Sequence, residues 1–183
     1  MALSSTVFTF EIDLADADRD VYEHLDLRVA KHPSESDEFL VARILAYCLE
    51  YTDGIEFSRG LCDADEPPIA VRDMTGEMQV WIDIGLPSAE RLHRASKHTP
   101  RVVVYIHKDP AQWLRAIEGS RIHRAELLEL RRLAGGLVGA LAASLERRMS
   151  FAVSVSGGDV SLSLTDRTIS GHVEPIALGD GLK

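Results

Sequence analysis

The strongest constraint on the fold is the run RVVVYIHK at 101–108, which is continuously apolar from Val102 to Ile106. A continuously apolar strand is typical of the centre of a parallel sheet, where both faces are covered. Before it come a strand-like segment at 78–85 and a basic segment at 88–98 that starts like a helix at Ser88. Strand, helix and buried strand in this order predict a right-handed βαβ unit, and therefore an α/β fold.

The rest of the chain predicts two β-hairpins and further helices around that unit. Alternating apolar residues favour one hairpin in residues 1–31 and another in 151–165. A capping-box pattern from Ser34 to Asp37 predicts a helix over 34–51. Short helical patterns cover 110–118 and about 133–147. We therefore expect one compact domain with a mixed sheet over residues 1–183, whose last part, about 169–183, is an edge strand or a loose tail.

Composition limits the classes of function. The 183 residues carry 20 Lys and Arg against 29 Asp and Glu, a net charge of −9. Such a surface repels the phosphate backbone, so general nucleic-acid coating is excluded and only weak or local binding is expected. No signal-peptide pattern and no run of about 18 apolar residues occurs, which predicts a cytoplasmic protein with no membrane partner. The P-loop, G-x-S-x-G and G-x-G-x-x-G patterns are absent, so no organic cofactor is expected.

Carboxylates occupy positions where apolar residues are the rule. The apolar stripe of the 34–51 helix, continued towards its start, reaches Glu38 and Glu35, so both are expected to point inward. Asp83 stands inside the 78–85 strand, on the same face as Gln79. A charge there is costly unless it is solvated, paired or bound to a metal.

Five motifs carry a resemblance to a known family. They are His32-Pro33-Ser34-Glu35-x-x-Glu38, Phe57-Ser58-Arg59-Gly60-Leu61, Asp65-Glu66-Pro67, Trp81-Ile82-Asp83-Ile84-Gly85-Leu86-Pro87, and the basic helix before Val102-Val103-Val104-Tyr105. In this order, over essentially the whole chain, they resemble the YaeQ family. The resemblance implies a bacterial protein with a variant of the PD-(D/E)XK, restriction-endonuclease-like core. It also implies a strand at about 122–130, although helix propensity alone favours one long helix there.

The resemblance further implies a nuclease-like site. A PD-(D/E)XK nuclease holds Mg²⁺ or Mn²⁺ with acids and uses a lysine to polarise the attacking water. Its order of acids is matched here by Glu35, by Asp65 or Glu66, and by Asp83, which are the candidate metal ligands. The lysine of the D-x-K motif is missing, because Gly85 stands in its place.

Two functions stay open at this point. In the first, a metal-dependent phosphodiesterase, Arg94 or Lys97 replaces the missing lysine beside the catalytic acids Glu35 and Asp83. Gln79 and Arg59 are then the candidate substrate-binding residues. In the second, a non-catalytic interaction or regulatory module keeps the fold and binds a protein partner. The cations and the acids would then form purely structural ion pairs.

Overall fold

The computed structural model describes residues 5–58 and 65–178. These fall into two compact units, one from residues 5–49 and 133–174 and the other from 50–58, 65–132 and 175–178. None of the described helices is long and apolar enough to cross a membrane. The strands are β1 Thr6–Asp16, β2 Val21–Lys31, β3 Ile55–Phe57, β4 Ile69–Arg72, β5 Met78–Ile84, β6 Arg101–Ile106, β7 Leu128–Ala134, β8 Arg148–Ser156, β9 Asp159–Ser163 and β10 Thr168–Ile176. The helices are α1 Asp37–Leu49, α2 Ala89–His98, α3 Ala111–Ile117 and α4 Leu137–Ala142.

The first unit contains a mixed sheet in the order β2-β1-β8-β9-β10. β1 and β2 form the expected N-terminal hairpin, in which Phe10 faces Leu27 and Ile12 faces Leu25. β8 and β9 form the second expected hairpin, and β1 pairs with β8 in parallel. Beyond them, β10 pairs with β9 from Thr168 to His172, so this part of the tail is a strand rather than a loose end.

Helix α1 begins three residues later than the capping-box pattern predicts. Ser36 caps it, because its Oγ accepts a hydrogen bond from the Phe39 N–H at 3.1 Å. Ser34 Oγ instead bonds His32 Nδ1 at 2.6 Å. Every residue from Leu40 to Leu49 is buried, so the whole circumference of this part of the helix is enclosed and not only its apolar stripe.

The second unit contains a mixed sheet in the order β7-β6-β5-β4-β3. β5, β6 and β7 are parallel to one another, while β3, β4 and β5 pair antiparallel. The predicted βαβ unit is confirmed as β5-α2-β6, with Val102 to Ile106 buried as expected. Helix α2 contributes Leu92 and Ala95 to a buried cluster with Trp81 and Val104.

The segment between α3 and β8 differs most from the sequence prediction. The strand expected at 122–130 begins only at Leu128, after a single 3-10 turn at Ala125–Leu127. The helix expected over 133–147 is shortened to α4. Gly135 and Gly136 adopt φ values of +74° and +78° before it, and this left-handed backbone ends the strand and delays the helix.

Gly171 on β10 is required by a close approach inside the first unit. A Cβ at this position would lie 2.4 Å from the Ala134 carbonyl oxygen and 2.5 Å from Leu137 Cγ. Both distances are far shorter than a normal carbon contact. No larger residue therefore fits at this point of β10 without displacing the backbone before α4.

We expect Gly171→Ala to lower the free energy of unfolding by about 1–3 kcal/mol, the usual cost of overpacking. The matched control is Gly139→Ala in α4, where a Cβ meets no atom within 4 Å. Alanine is the better helix former, so the control should be neutral or stabilising by up to about 1 kcal/mol. Urea unfolding measures both. Equal unfolding midpoints for the two variants would contradict the steric explanation.

A cluster of charges joins β6 to β7 in the second unit. Arg101 binds both carboxylate oxygens of Glu129, at 2.6 and 2.8 Å, and Arg131 Nη2 adds a third bond at 2.7 Å. Arg101 also donates to Glu50 at 2.7 Å, which accepts the Tyr105 hydroxyl at 2.8 Å. The hydrogen bonds from Arg101, and then from Arg131, lower the pKa of Glu129 from 4.5 to about 2.

This pKa predicts a pH dependence of stability. Between pH 4.5 and about 2 the folded state binds fewer protons at Glu129 than the unfolded state. The contribution of ionised Glu129 to the free energy of unfolding is therefore fully present above pH 4.5 and is lost as the pH falls towards 2. Glu129→Gln should be destabilising at pH 7, with a difference from the wild type that narrows below pH 4.5. Urea titrations at pH 7, 4.5 and 3.5 measure it, with the exposed Glu126→Gln as control; a pH-independent difference would contradict it.

Candidate functional site

Asp83 is the acid that the second unit buries most completely, with a side chain that is 5% exposed. Its Oδ2 accepts the Arg91 Nε–H at 2.5 Å and the Trp81 Nε1–H at 3.2 Å. Its Oδ1 lies 3.2 Å from the Ile84 backbone N–H. Both carboxylate oxygens are thus engaged by donors of the second unit.

Arg91 connects Asp83 to the turn that carries the next acids. Its Nη2 donates to the Glu66 carbonyl oxygen at 2.9 Å, and its guanidinium carbon lies 5.1 Å from the centre of the Trp81 ring. A guanidinium over an indole face is attractive and adds to the ion pair. Sequence reasoning missed Arg91 in favour of Arg94 and Lys97, although its place in the first turn of the helix after Asp83 was an available signal.

Arg94, a candidate catalytic cation, is paired as well. Its Nη1 lies 2.6 Å from Asp65 Oδ1 and its Nη2 3.1 Å from Glu90 Oε1, one helical turn away. The hydrogen bond to Asp65 raises the pKa of Arg94 further. This pair is exposed, since the Asp65 side chain is 74% accessible.

Glu35 forms a buried ion pair in the first unit. Its Oε1 lies 3.0 Å from Arg43 Nη2, and both side chains are 2% exposed. Its Oε2 accepts the His32 N–H at 3.1 Å. Burial raises the pKa of Glu35, and Arg43 opposes that shift. Glu38, which was expected to point inward beside Glu35, is exposed in the first turn of α1, so the inward stripe of the helix does not reach back to it.

The side chains of the remaining predicted residues take no part in these ion pairs. Gln79 Nε2 donates to Asp73 Oδ2 at 2.6 Å in the turn between β4 and β5. Glu66 lines a cavity of about 300 Å³ together with Glu56 and Arg72. Lys97 is exposed near the end of α2. Arg59 lies outside the described residues.

The backbone at the position of the missing lysine is itself unusual. Gly85 follows Asp83 and Ile84 with a φ of +87°, and its N–H donates to the Tyr105 carbonyl at 2.8 Å. This left-handed conformation is one that a lysine adopts only with strain. The glycine is thus required by the way β5 ends beside β6.

The candidate carboxylates, in the arrangement that the structure shows, do not form a site for a divalent metal ion. Glu35, Asp65 and Asp83 each bind an arginine, and a guanidinium keeps its charge at any ordinary pH. Among the residues at 5–58 and 65–178, no three His, Cys, Asp or Glu side chains form a group that could hold a metal ion. Convergence of Glu35 with Asp65 and Asp83 remains a prediction, since they belong to different units.

Comparison with known proteins agrees with the motifs. A family model described as YaeQ protein matches residues 1–173. The chain belongs to the YaeQ family. A protein named uncharacterized protein YaeQ from Escherichia coli K12 is 35% identical over 112 residues, and the match spans 61% of each protein's length. Its namesake from Salmonella typhi is 28% identical over 165 residues, covering 89% of this chain and 91% of that protein.

Two crystal structures of family members share the fold. The YaeQ protein from Xanthomonas axonopodis pv. citri has a TM-score of 0.85 and 32% identity, covering 94% of this chain and 98% of its own. The YaeQ protein from Pseudomonas syringae also has a TM-score of 0.85, at 28% identity over 94% and 96% of the two chains. The α/β architecture is therefore that of the YaeQ family.

We expect Asp83→Asn to lower the free energy of unfolding by about 2–3 kcal/mol, since it leaves a largely buried arginine without a counter-charge. Chemical denaturation of Asp83→Asn, Arg91→Gln and the double variant measures the pair. The free energy of unfolding should fall less in the double variant than the sum of its decreases in the two single variants. Asp65→Asn, which breaks an exposed pair, is the control and should change stability by less than about 1 kcal/mol. Strict additivity would contradict a direct Asp83–Arg91 interaction.

Proposed function

We propose that this YaeQ-family chain is a non-catalytic binding module, in which a restriction-endonuclease-like arrangement survives and its acids hold the structure together. The observation that carries the proposal is the ion pair of Asp83 with Arg91. Arg91 and Trp81 both donate to Asp83 Oδ2, at 2.5 and 3.2 Å, while Asp83 Oδ1 lies 3.2 Å from the Ile84 backbone N–H. A metal would have to displace a cation that is itself held by the Glu66 carbonyl.

The end of β5 supports the same conclusion. A metal-dependent nuclease of this type needs a cation two residues after the strand acid, to act on the attacking water. Here that position is Gly85, with a φ of +87°. The proposal includes the cytoplasmic location expected from the sequence. The buried Cys48, a free thiol whose pKa burial raises to about 12, is compatible with it.

The competing candidate is a phosphodiesterase that uses Mg²⁺ or Mn²⁺. One observation favours it: through Arg91 and Arg94, helix α2 binds Asp83, the Glu66 carbonyl and Asp65. The acids of the second unit that the family resemblance selects thus contact the same helix. In that candidate, Arg94 is the residue that would contact the substrate phosphate.

The experiment incubates purified protein with Mn²⁺ and 5′-labelled single-stranded and duplex DNA and RNA. Asp65→Asn and Asp83→Asn are assayed beside the wild type, and the first of these is expected to fold normally because Asp65 is exposed. Mn²⁺ binding is followed in parallel from the electron paramagnetic resonance signal of the free ion. We expect no cleavage that depends on either acid, and no Mn²⁺ site tighter than millimolar.

Each outcome decides between the candidates. Cleavage at equal rates in all three proteins comes from a contaminant or another site, and leaves the acids structural. Cleavage that needs Mn²⁺ and falls at least about a hundredfold in both variants would overturn the binding-module proposal. Saturable Mn²⁺ binding that Asp83→Asn abolishes would overturn it too.

A further inference from the structure

A basic cavity of about 460 Å³ lies in the second unit, beside α2 and the segment before β7. It is lined by His93, Lys97, Arg121, Ile122, His123 and Arg124. Three of these side chains carry a permanent positive charge, two are imidazoles, and none is acidic. In a chain with a net charge of −9, such a concentration of cations needs an explanation.

The three cations of the basic cavity lack the acidic partners that several other described arginines have. Lys97, Arg121 and Arg124 are exposed and, within residues 5–58 and 65–178, make no ion pair or hydrogen bond with their side chains. Arginines that do pair with acids are Arg19, Arg43, Arg72, Arg91, Arg94, Arg101 and Arg131. Like charges gathered around one cavity repel one another until an anion occupies it.

The backbone of Arg124 is strained in a way that places a charged residue at the cavity. Its φ of +49° and ψ of +45° are left-handed. Glycine adopts this conformation at lower cost than arginine does. Its carbonyl accepts the Leu127 N–H at 2.9 Å, which closes the turn before β7. A strained backbone conformation that is retained at a single residue is typical of a functional position.

His93 adds a fixed hydrogen-bond donor. Its Nδ1 accepts the His123 backbone N–H at 3.2 Å, so the proton of the neutral ring is assigned to Nε2. His93 and Lys97 lie one helical turn apart on α2. Two other residues of the same helix bind acids instead, Arg91 to Asp83 and Arg94 to Asp65. Neither Asp65 nor Asp83 is among the residues that line the basic cavity.

We propose that the basic cavity binds a small phosphorylated molecule through its phosphate group. Guanidinium groups match phosphate oxygens in a two-bond geometry. The volume falls in the range of small-molecule sites, and Ile122 supplies a buried apolar wall. The proposal rests on the binding-module function and names the chemistry of its ligand.

Isothermal titration calorimetry of the full chain with inorganic phosphate and with pyrophosphate tests this, at constant ionic strength and in metal-free buffer with a chelator. We expect saturable binding of one anion per chain. Arg121→Gln and Arg124→Gln should each weaken it at least about tenfold, the usual effect of losing a charged hydrogen bond. The matched control is Lys108→Gln, which removes one exposed positive charge from the same unit but away from the cavity.

Arg124→Gly separates binding from a structural role. Glycine accepts the left-handed backbone, so the melting temperature should stay the same or rise. Phosphate affinity should nevertheless fall as far as in Arg124→Gln. A lower melting temperature with unchanged affinity would make Arg124 structural and overturn its role in binding.

Further outcomes distinguish the alternatives. No saturable binding, or an equal loss in Lys108→Gln, overturns the cavity proposal but leaves the binding-module function standing. Tighter binding of a 5′-phosphorylated oligonucleotide than of pyrophosphate, with no binding of its 5′-hydroxyl form, would assign the cavity to a nucleic-acid end and overturn the small-molecule ligand. Metal-dependent cleavage of nucleic acids would overturn the proposal that the chain is a non-catalytic binding module. It would not overturn the proposal that the basic cavity binds a phosphate group.

Discussion

The second unit depends on one interaction, the pairing of a carboxylate on a central strand with a guanidinium on the crossover helix. A buried carboxylate inside β5 is costly without a counter-charge. Arg91 provides it while covering Trp81 and binding the Glu66 carbonyl. Since Arg91 is in the first turn of α2, the pair also fixes the rotation of that helix. The half-buried Arg94 and the cavity residues His93 and Lys97 take their positions from it.

Much of the fold could be predicted because it depends on local periodicity. Both hairpins and the β5-α2-β6 unit follow from alternation and from the apolar run at 101–106. The sequence prediction is wrong where two groups compete for the same hydrogen bond or the same segment can form either a helix or a strand. The Ser34 hydroxyl is hydrogen-bonded to His32, and Ser36 caps α1 instead. Helix propensity before Leu133 is overridden because that segment completes a parallel sheet beside β6.

The burial of two candidate site residues could be predicted for a physical reason too. Glu35 and Asp83 stand out in the sequence because a buried carboxylate is costly. Their partners do not stand out. Arg43 is one residue of an enclosed helix, and Arg91 is one of several cations in α2, so the choice among them depends on three-dimensional distances. The order of acids along a chain therefore does not by itself establish a chemistry.

The parallel pairing of β1 with β8 has a consequence for synthesis of the protein. The first unit takes its strands from both ends of the chain, since Thr9 on β1 is opposite Arg148 on β8. During synthesis, the hairpin of β1 and β2 has no parallel neighbour until β8 has also left the ribosome. Until then β1 has an unpaired edge, which is the kind of surface through which incompletely folded chains associate with one another.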